Sequence, residues 1–204
     1  VGGGPGGMKA AAVAAECGHE VTLYETDPQL GGQAKLAQLL PGRSEFGGII
    51  TNLSREVTLS GAKVVTNTKV TQRLVNDELP DRIIVATGAS PRWPDIEGKE
   101  EAHVVDAWQV LNKQVNVGGS VAIADWRADW IGLGLAEMLA RNGCRVRLYV
   151  NANMAGETIH RYVRDAQIGV IDSLGVEIVP MVRLFGVDSS TAYFQHVTSG
   201  EAVV

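Results

Sequence analysis

The sequence predicts an α/β protein made of two doubly wound units. Three observations predict this class: a glycine-rich turn leads into a helix and a strand within residues 1–25, a second strand–helix alternation starts near residue 118, and a proline- and charge-rich stretch separates the two. The length of 204 residues alone permits either one large domain or two smaller ones. We expect a first unit at 1–95, a crossing segment at 96–117 and a second unit at 118–204.

The chain begins with the glycine-rich stretch VGGGPGG, in which Gly2, Gly4 and Gly7 have the spacing G-x-G-x-x-G. The helical run GMKAAAVAAECG and the extended run EVTLYE follow, and this order is typical of a dinucleotide-binding, Rossmann-like βαβ unit. The first glycine allows a tight turn, the second lets the backbone approach a pyrophosphate, and the third lets the helix lie close to the sheet. A flexible leader is the alternative, but the helix and strand that follow favour the fingerprint.

An acidic residue and a second glycine signal support the fingerprint. Glu25 lies 25 − 7 = 18 positions beyond Gly7, at the end of the predicted strand, where a carboxylate accepts hydrogen bonds from ribose hydroxyls and repels a 2′-phosphate. The stretch LGGQ follows at 30–33. The start of the first helix also offers unpaired N–H groups and the positive end of its dipole to phosphates.

The rest of the first unit is predicted from hydrophobic spacing. Residues 26–43 are predicted to form a loop and 44–61 a helix. Strands are predicted at 62–71 and 81–89, and the consecutive apolar residues 83–85 indicate that the second of these is a buried, central parallel strand.

The second unit repeats the alternation of strand and helix. Its predicted elements are strands at 118–125, 144–151 and 176–180, helices at 130–143 and about 160–174, and two further strands at 181–187 and 192–198 that are joined by the polar turn DSST. This alternation predicts the second α/β unit.

Composition and charge exclude several classes of protein. Hydrophobic residues make up 45% of the chain and charged residues 20%, which is typical of a soluble globular protein. The net charge of −5 provides no basic face for nucleic acid or an anionic membrane. No apolar run approaches the roughly 18 residues of a membrane span, and the two cysteines and four histidines have no metal-ligand spacing. We therefore expect a cytoplasmic protein without a metal site.

Three stretches resemble a known family: GGGPGGMKAAAVAAECGHEVTLYETDPQLGGQ, PGRSEF and IIVATGASPRWPDIEG. They are similar to the C-terminal FAD/NAD(P)-binding, disulfide-reductase-like region of the Old Yellow Enzyme-like flavin oxidoreductases, which include 2,4-dienoyl-CoA reductase and trimethylamine dehydrogenase. In that family an FMN-binding barrel with an iron–sulfur cluster precedes this region. The resemblance therefore implies such a barrel upstream in the same polypeptide, with FMN and the cluster bound only there.

The resemblance also implies a cofactor and its contacts. The first unit is expected to hold FAD or, as in the amine dehydrogenases, ADP at the equivalent place. The implied contacts are Gly2, Gly4 and Gly7 to the pyrophosphate, Glu25 to the adenosine ribose, Gly32 and Gln33 on the phosphate side, the Val70 backbone to the adenine, and Thr87 and Gly88 close to the passing cofactor. A tight exit turn is the alternative explanation of the last two residues.

The second unit departs from the family's pattern. It reads RADWIG where a nicotinamide-binding unit has G-x-G-x-x-G, so Arg127 and Asp129 replace the first two glycines and only Gly132 is kept. We expect Asp125 and Asp129 to cap the following helix and to occupy the anion site themselves, so that NAD(P)H does not bind. Binding of a phosphate by Arg127 from another direction is the alternative.

Two functional hypotheses follow. In the first, the chain is the flavin-binding portion of an NADH:flavin oxidoreductase or amine dehydrogenase. In the second, it is a structural ADP-binding module through which no electrons pass. The sequence predicts no catalytic residue for either. Because only Val1 precedes the fingerprint, where a strand of about five residues is expected, we also expect the chain to be a fragment of a longer polypeptide that is not catalytically complete, and it is open whether the fragment alone binds nucleotide.

Overall fold

The computed structural model describes residues 1–101 and 103–203, and the chain divides into two compact units, Val1–Ser90 and Pro91–Val204. Each unit contains parallel strands and helices, so the predicted α/β class is confirmed. The predicted crossing segment, 96–117, falls within the second unit, and its separate role stays a prediction. Among the described residues, no helix combines the length and the apolar character that crossing a bilayer requires.

The first unit is built on a short parallel sheet. Its elements are α1 (Pro5–Glu16), β1 (Thr22–Tyr24), α2 (Ala34–Ala37), α3 (Glu45–Ser60), β2 (Lys63–Val65) and α4 (Gln72–Glu78). Strands β1 and β2 pair in parallel with Leu23 opposite Val64, and α2 and α3 lie in the crossover connection that parallel strands require. Helices α2 and α4 were not predicted, and β2 is shorter than the strand predicted at 62–71.

Small residues let α1 lie close to its neighbours. Pro5 stands in the first turn, where a missing N–H group breaks no helical hydrogen bond, and alanines with high helix propensity follow. Ala11 and Ala12 are buried in one apolar cluster with Leu23 of β1 and Val57 of α3. The helix therefore contacts both the sheet and α3, as the fingerprint predicts.

The segment 81–89 does not form the buried strand that its sequence predicts. Ile83, Ile84 and Val85 are 47%, 55% and 72% exposed. The Val1 amino group donates to the Ile84 carbonyl at 2.8 Å, and the Ala86 N–H donates to the Val1 carbonyl at the same distance. These hydrogen bonds do not make residues 81–89 part of a strand within the described chain, so the prediction of a buried strand is wrong for these side chains.

The second unit contains a parallel sheet and an antiparallel sheet. Its elements are α5 (Ala107–Leu111), β3 (Ser120–Asp125), α6 (Trp130–Arg141), β4 (Arg145–Val150), α7 (Arg161–Ser173), β5 (Glu177–Pro180), β6 (Val182–Val187), β7 (Ala192–His196) and β8 (Ala202–Val203). The parallel sheet has the order β3-β4-β5, and the antiparallel sheet has the order β6-β7-β8. The predicted strands and helices of this unit are therefore confirmed, with α5 and β8 in addition.

Strand β4 is the centre of the second unit's core. Val146, Leu148 and Val150 alternate along it and are buried against α6 and Ile171 of α7. Residues two apart on a strand face the same side of the sheet, so these three side chains form one apolar surface. Helices α6 and α7 contact each other on that side, as right-handed crossovers between strands in sequential order require.

The antiparallel sheet covers the opposite face of the parallel sheet. Tyr149 of β4 stacks on Phe194 of β7 with ring centroids 3.8 Å apart, and Val182 of β6 is buried beside them. Strands rather than helices therefore form the second covering layer, and the doubly wound arrangement predicted for this unit is wrong.

Truncation of Leu148 is expected to destabilise the second unit strongly. Its side chain is 0% exposed at the centre of the core, so Leu148→Ala leaves a cavity and should lower the free energy of unfolding by about 2–5 kcal/mol. Leu59→Ala, at a side chain that is 73% exposed on α3, is the matched control and should change it by less than about 0.5 kcal/mol. Urea denaturation measures both, and equal losses would contradict this description of the core.

Candidate functional site

Three glycine-containing segments of the first unit meet at the start of α1. Gly2 has a φ of 103°, and its N–H donates to the Tyr24 carbonyl at 2.8 Å. A Cβ atom on Gly2 would overlap the Ala86 carbonyl, and one on Gly7 would overlap the Gly2 carbonyl. The first and third fingerprint positions therefore require glycine, because the backbones of the turn, the helix and the segment after 85 approach too closely for a side chain.

The first turn of α1 presents unpaired N–H groups. The N–H of Met8 makes the first helical bond, to the Gly4 carbonyl at 2.9 Å, and Pro5 has no N–H. The N–H groups of Gly4, Gly6 and Gly7 have no acceptor among the described residues. Three donors at the positive end of a helix dipole are the chemistry that binds an anion such as a diphosphate.

Glu25 lies at the end of β1 with its carboxylate fixed by two backbone donors. The Gly3 N–H donates to Oε2 at 2.6 Å, and the Asp27 N–H donates to Oε1 at 2.8 Å. An ionised carboxylate has about four lone-pair sites, so each oxygen keeps acceptor capacity that no described residue uses. The structure thus places an oriented, half-buried acceptor beside the anion-binding turn.

The loop at 30–33 lies against the fingerprint turn. The Gly31 N–H donates to the Gly3 carbonyl at 2.8 Å. Gly32 has a φ of 51°, and a Cβ atom on it would lie 2.9 Å from Gly4 Cα. Gln33 Nε2 donates to the Ala89 carbonyl at 2.8 Å, so this side chain joins the loop to the turn that contains Gly88.

Thr87, Gly88 and Val70 stand at the edges of this group. Thr87 and Gly88 are exposed, and Gly88 has a φ of 73° in the turn that Gln33 contacts. Val70 is half-buried, and the described contacts do not join it to the glycines. The Thr68 N–H donates to the Glu25 carbonyl at 2.9 Å, which brings the loop before Val70 to the site.

Some residues of this site were not predicted. Nothing in the residue pattern singled out the N–H of Gly3 or of Asp27 as the donors that orient Glu25. Lys35 also lies here, with Nζ 2.8 Å from Asp27 Oδ2. The sequence signal for these contacts is limited to two charged residues. An acidic residue stands two positions after Glu25, and a basic residue stands two positions after LGGQ.

In the second unit, carboxylates occupy the turn between β3 and α6. Asp125 Oδ1 accepts from the N–H groups of Arg127 and Ala128 at 3.0 and 2.9 Å. Asp129 Oδ1 accepts from the Ile131 N–H at 2.9 Å as the N-cap of α6. Three N–H groups of this turn are therefore already paired with carboxylates, and Asp129 caps α6 as expected from the RADWIG sequence.

The kept glycine of this turn makes room for Asp125. A Cβ atom on Gly132 would overlap Asp125 Oδ2, so a side chain at this position would displace the Asp125 carboxylate. Asp125 is 8% exposed, and Oδ2 is buried without a hydrogen-bond partner among the described residues. Burial raises the pKa of Asp125, the N–H groups of Arg127 and Ala128 oppose this increase, and the nearby Asp129 carboxylate adds to it.

Asp125→Asn is expected to remove a pH dependence of stability. Because the folded-state pKa is raised, the stabilisation from protonated Asp125 is complete below its ordinary value of 3.8 and is lost as the pH rises through the folded value. Asparagine keeps an oxygen for the two N–H groups but carries no charge. Thermal unfolding between about pH 3 and 7 should give a Tm difference, variant minus unaltered chain, that grows with pH. A difference that does not change with pH would contradict this assignment.

Comparisons with known proteins agree with this architecture. The family model described as pyridine nucleotide-disulphide oxidoreductase matches residues 1–202. The N,N-dimethylglycine/sarcosine dehydrogenase of Chromohalobacter salexigens is 36% identical over 175 residues, which cover 80% of this chain and 25% of the dehydrogenase. The chain thus spans about a quarter of that relative's length.

Two solved structures share the fold across the chain. A 2-naphthoyl-CoA reductase superposes with a TM-score of 0.88 at 25% identity, over 100% of this chain and 30% of the reductase. Histamine dehydrogenase from Rhizobium sp. 4-9 also gives a TM-score of 0.88, at 22% identity, over 99% of this chain and 33% of that protein. These matches confirm the resemblance to the nucleotide-binding region of the Old Yellow Enzyme-like flavoproteins. The chain belongs to the pyridine nucleotide-disulphide oxidoreductase family.

Proposed function

We propose that the chain is the nucleotide-binding part of a flavin-dependent oxidoreductase and that its first unit binds the ADP moiety of FAD. The observation that carries this proposal is that the N–H donors of Gly4, Gly6 and Gly7, which have no acceptor among the described residues, lie beside the oriented carboxylate of Glu25. A diphosphate requires such donors, and the hydroxyls of the attached ribose require such an acceptor.

The residues present fit this group. The glycines leave the backbone bare where a diphosphate approaches, and Gly32 adds a second bare surface opposite Gly4. The chain's own contribution is to bind and orient the nucleotide. Bound FAD supplies the hydride and electron transfer chemistry, for which no side chain of the chain is proposed as acid or base.

The roles of the other predicted residues are part of the same proposal. Gln33 holds the turn at 87–89 beside the phosphate side of the site through its bond to Ala89. Thr87 and Gly88 border the path of the cofactor, and the Val70 backbone contacts the adenine. Support for Val70 is limited to the position of its loop next to Glu25.

The larger polypeptide is also part of the proposal. The chain covers 25–33% of the dehydrogenase and of the two solved proteins, which leaves room in such proteins for a further domain. We place FMN and an iron–sulfur cluster in an upstream barrel of the same polypeptide. The substrate class that this implies is an amine or an enoyl compound.

A structural ADP-binding module is the second candidate. The described donors and the Glu25 carboxylate address the diphosphate and the adenosine ribose, which ADP and FAD share. Titration calorimetry with both ligands distinguishes the candidates: FAD that binds more tightly than ADP supports the flavin site, and equal affinities support the ADP module. Absence of heat with both ligands would contradict the proposal as a whole.

Removal of the Glu25 charge is expected to weaken nucleotide binding. Glu25→Gln keeps the size of the side chain but loses charge-assisted hydrogen bonds to the ribose, so the binding free energy of ADP should fall by about 1–3 kcal/mol. Glu16→Ala, an exposed change at the end of α1, is the control and should bind ADP as the unaltered chain does. An unchanged ADP affinity of the Glu25 variant would refute the ribose assignment.

The second unit is expected not to bind NADH or NADPH. Asp125 and Asp129 occupy the donors at the start of α6 and place negative charge where the cofactor's diphosphate would lie. Titration with NADH and NADPH of the chain whose first unit is saturated with ADP, followed by the quenching of tryptophan fluorescence, should show no saturation. Saturable binding at micromolar concentration would mean that the turn is a cofactor site despite its carboxylates.

A further inference from the structure

Asp27 and Lys35 form an ion pair at the edge of the proposed ribose site. Lys35 Nζ lies 2.8 Å from Asp27 Oδ2 and also donates to the Gln29 carbonyl at 3.2 Å. The Lys35 side chain is 27% exposed, whereas Lys9, in the other close ion pair of this unit, is 58% exposed. The Asp27 side chain is 57% exposed, so the pair remains partly open to solvent, and it differs from an isolated surface pair in that the Gln29 carbonyl also holds Lys35 Nζ.

Asp27 connects this pair to Glu25. Its backbone N–H donates to Glu25 Oε1 at 2.8 Å, and its carbonyl accepts from the Asn67 N–H at 3.1 Å. The backbone of Asp27 is therefore held on one side by the loop after β2, and its side chain is held on the other side by Lys35. Movement of Asp27 would move one of the two donors that orient the Glu25 carboxylate.

Lys35 connects the pair to the glycine loop. Its backbone N–H donates to the Gly32 carbonyl at 3.1 Å, and a Cβ atom on Gly31 would lie 2.8 Å from Lys35 Cγ. The Gly31 N–H in turn donates to the Gly3 carbonyl, and the Gly3 N–H donates to Glu25. The hydrogen bonds and the ion pair thus connect Glu25, Asp27, Lys35 and Gly32, and Gly31, the chain neighbour of Gly32, connects back to Gly3 and Glu25.

We propose that Lys35 is a positioning residue for the ribose-binding carboxylate: its ion pair with Asp27 fixes the N–H group that orients Glu25. This inference rests on the proposed function of the first unit. Lys35 touches neither the diphosphate nor the ribose in this role. It acts through Asp27 on Glu25, and it couples the orientation of the carboxylate to the loop that contains Gly31 and Gly32.

The test compares two ligands that differ only at the ribose. Lys35→Met keeps most of the aliphatic stem but removes the charge, and it should weaken binding of ADP by at least about fivefold, the lower end of typical coupling between groups. Binding of 2′,3′-dideoxy-ADP should not change, because this ligand has no ribose hydroxyls for Glu25 to bind. Lys9→Met removes the Lys9–Glu56 pair on the surface of the same unit and should leave both affinities unchanged.

A second variant and a double variant complete the experiment. Asp27→Asn breaks the same ion pair from the other side and should reproduce the selective loss of ADP affinity. It tests the proposal even if Lys35→Met folds poorly. In the Glu25→Gln background, Lys35→Met should have no further effect on ADP binding, because the group through which it acts is already lost.

The outcomes separate this inference from the proposed function. Equal weakening of ADP and dideoxy-ADP would show a general loosening of the loop and would overturn the positioning role, as would an unchanged ADP affinity in both single variants. If the unaltered chain binds neither ligand, the proposed function itself is wrong. ADP binding by the unaltered chain together with a selective loss in the variants supports both.

Discussion

The first four N–H groups of any helix have no partner within the helix, and both units of this chain depend on how that need is met. In the first unit, the donors of Gly4, Gly6 and Gly7 stay open among the described residues. In the second unit, Asp125 and Asp129 accept from the equivalent turn. The same architecture thus leaves donors of one turn open among the described residues and pairs three donors of the other turn with carboxylates.

The pairing of the second turn with carboxylates has an energetic consequence. Replacing a ligand with a carboxylate buries a charge, and Asp125 Oδ2 is left without a described partner in a nine-tenths buried side chain. The two N–H groups on Oδ1 offset part of the desolvation that this burial requires. The turn is therefore stable without a bound cofactor. While the N–H groups of Arg127 and Ala128 donate to Asp125, they are not available to an external acceptor.

The sequence predicted the local geometry of the two turns better than it predicted the contacts of the candidate site. The G-x-G-x-x-G spacing placed Gly2 and Gly7 where the structure has backbone contacts too close for a Cβ atom, and the RADWIG sequence predicted the capping by Asp129. Both are local features, since spacing along one turn fixes which groups meet. The cofactor contacts of the site residues stay a prediction, and Val70 is the least supported of them.

Features that depend on contacts between distant segments could not be predicted. The apolar run at 83–85 has the composition of a buried strand, yet burial depends on which segment pairs with it, and here only Val1 does. Hydrophobic alternation identified β6 and β7, but it could not tell that they would cover Tyr149 in place of a helix. The donor Gly3 of Glu25 was missed for the same reason, because it lies 22 positions away in sequence.

Pro5, in the first turn of α1, has a further consequence. Its ring fixes φ near the helical value, so the turn that carries the open donors is held in its final conformation before any partner arrives. A rigid turn loses little chain entropy on association, and the free energy of its contacts is then available as affinity instead of being spent on ordering the backbone. The glycines alone would leave this part of the chain more flexible; the proline among them restricts the conformations that the turn can adopt.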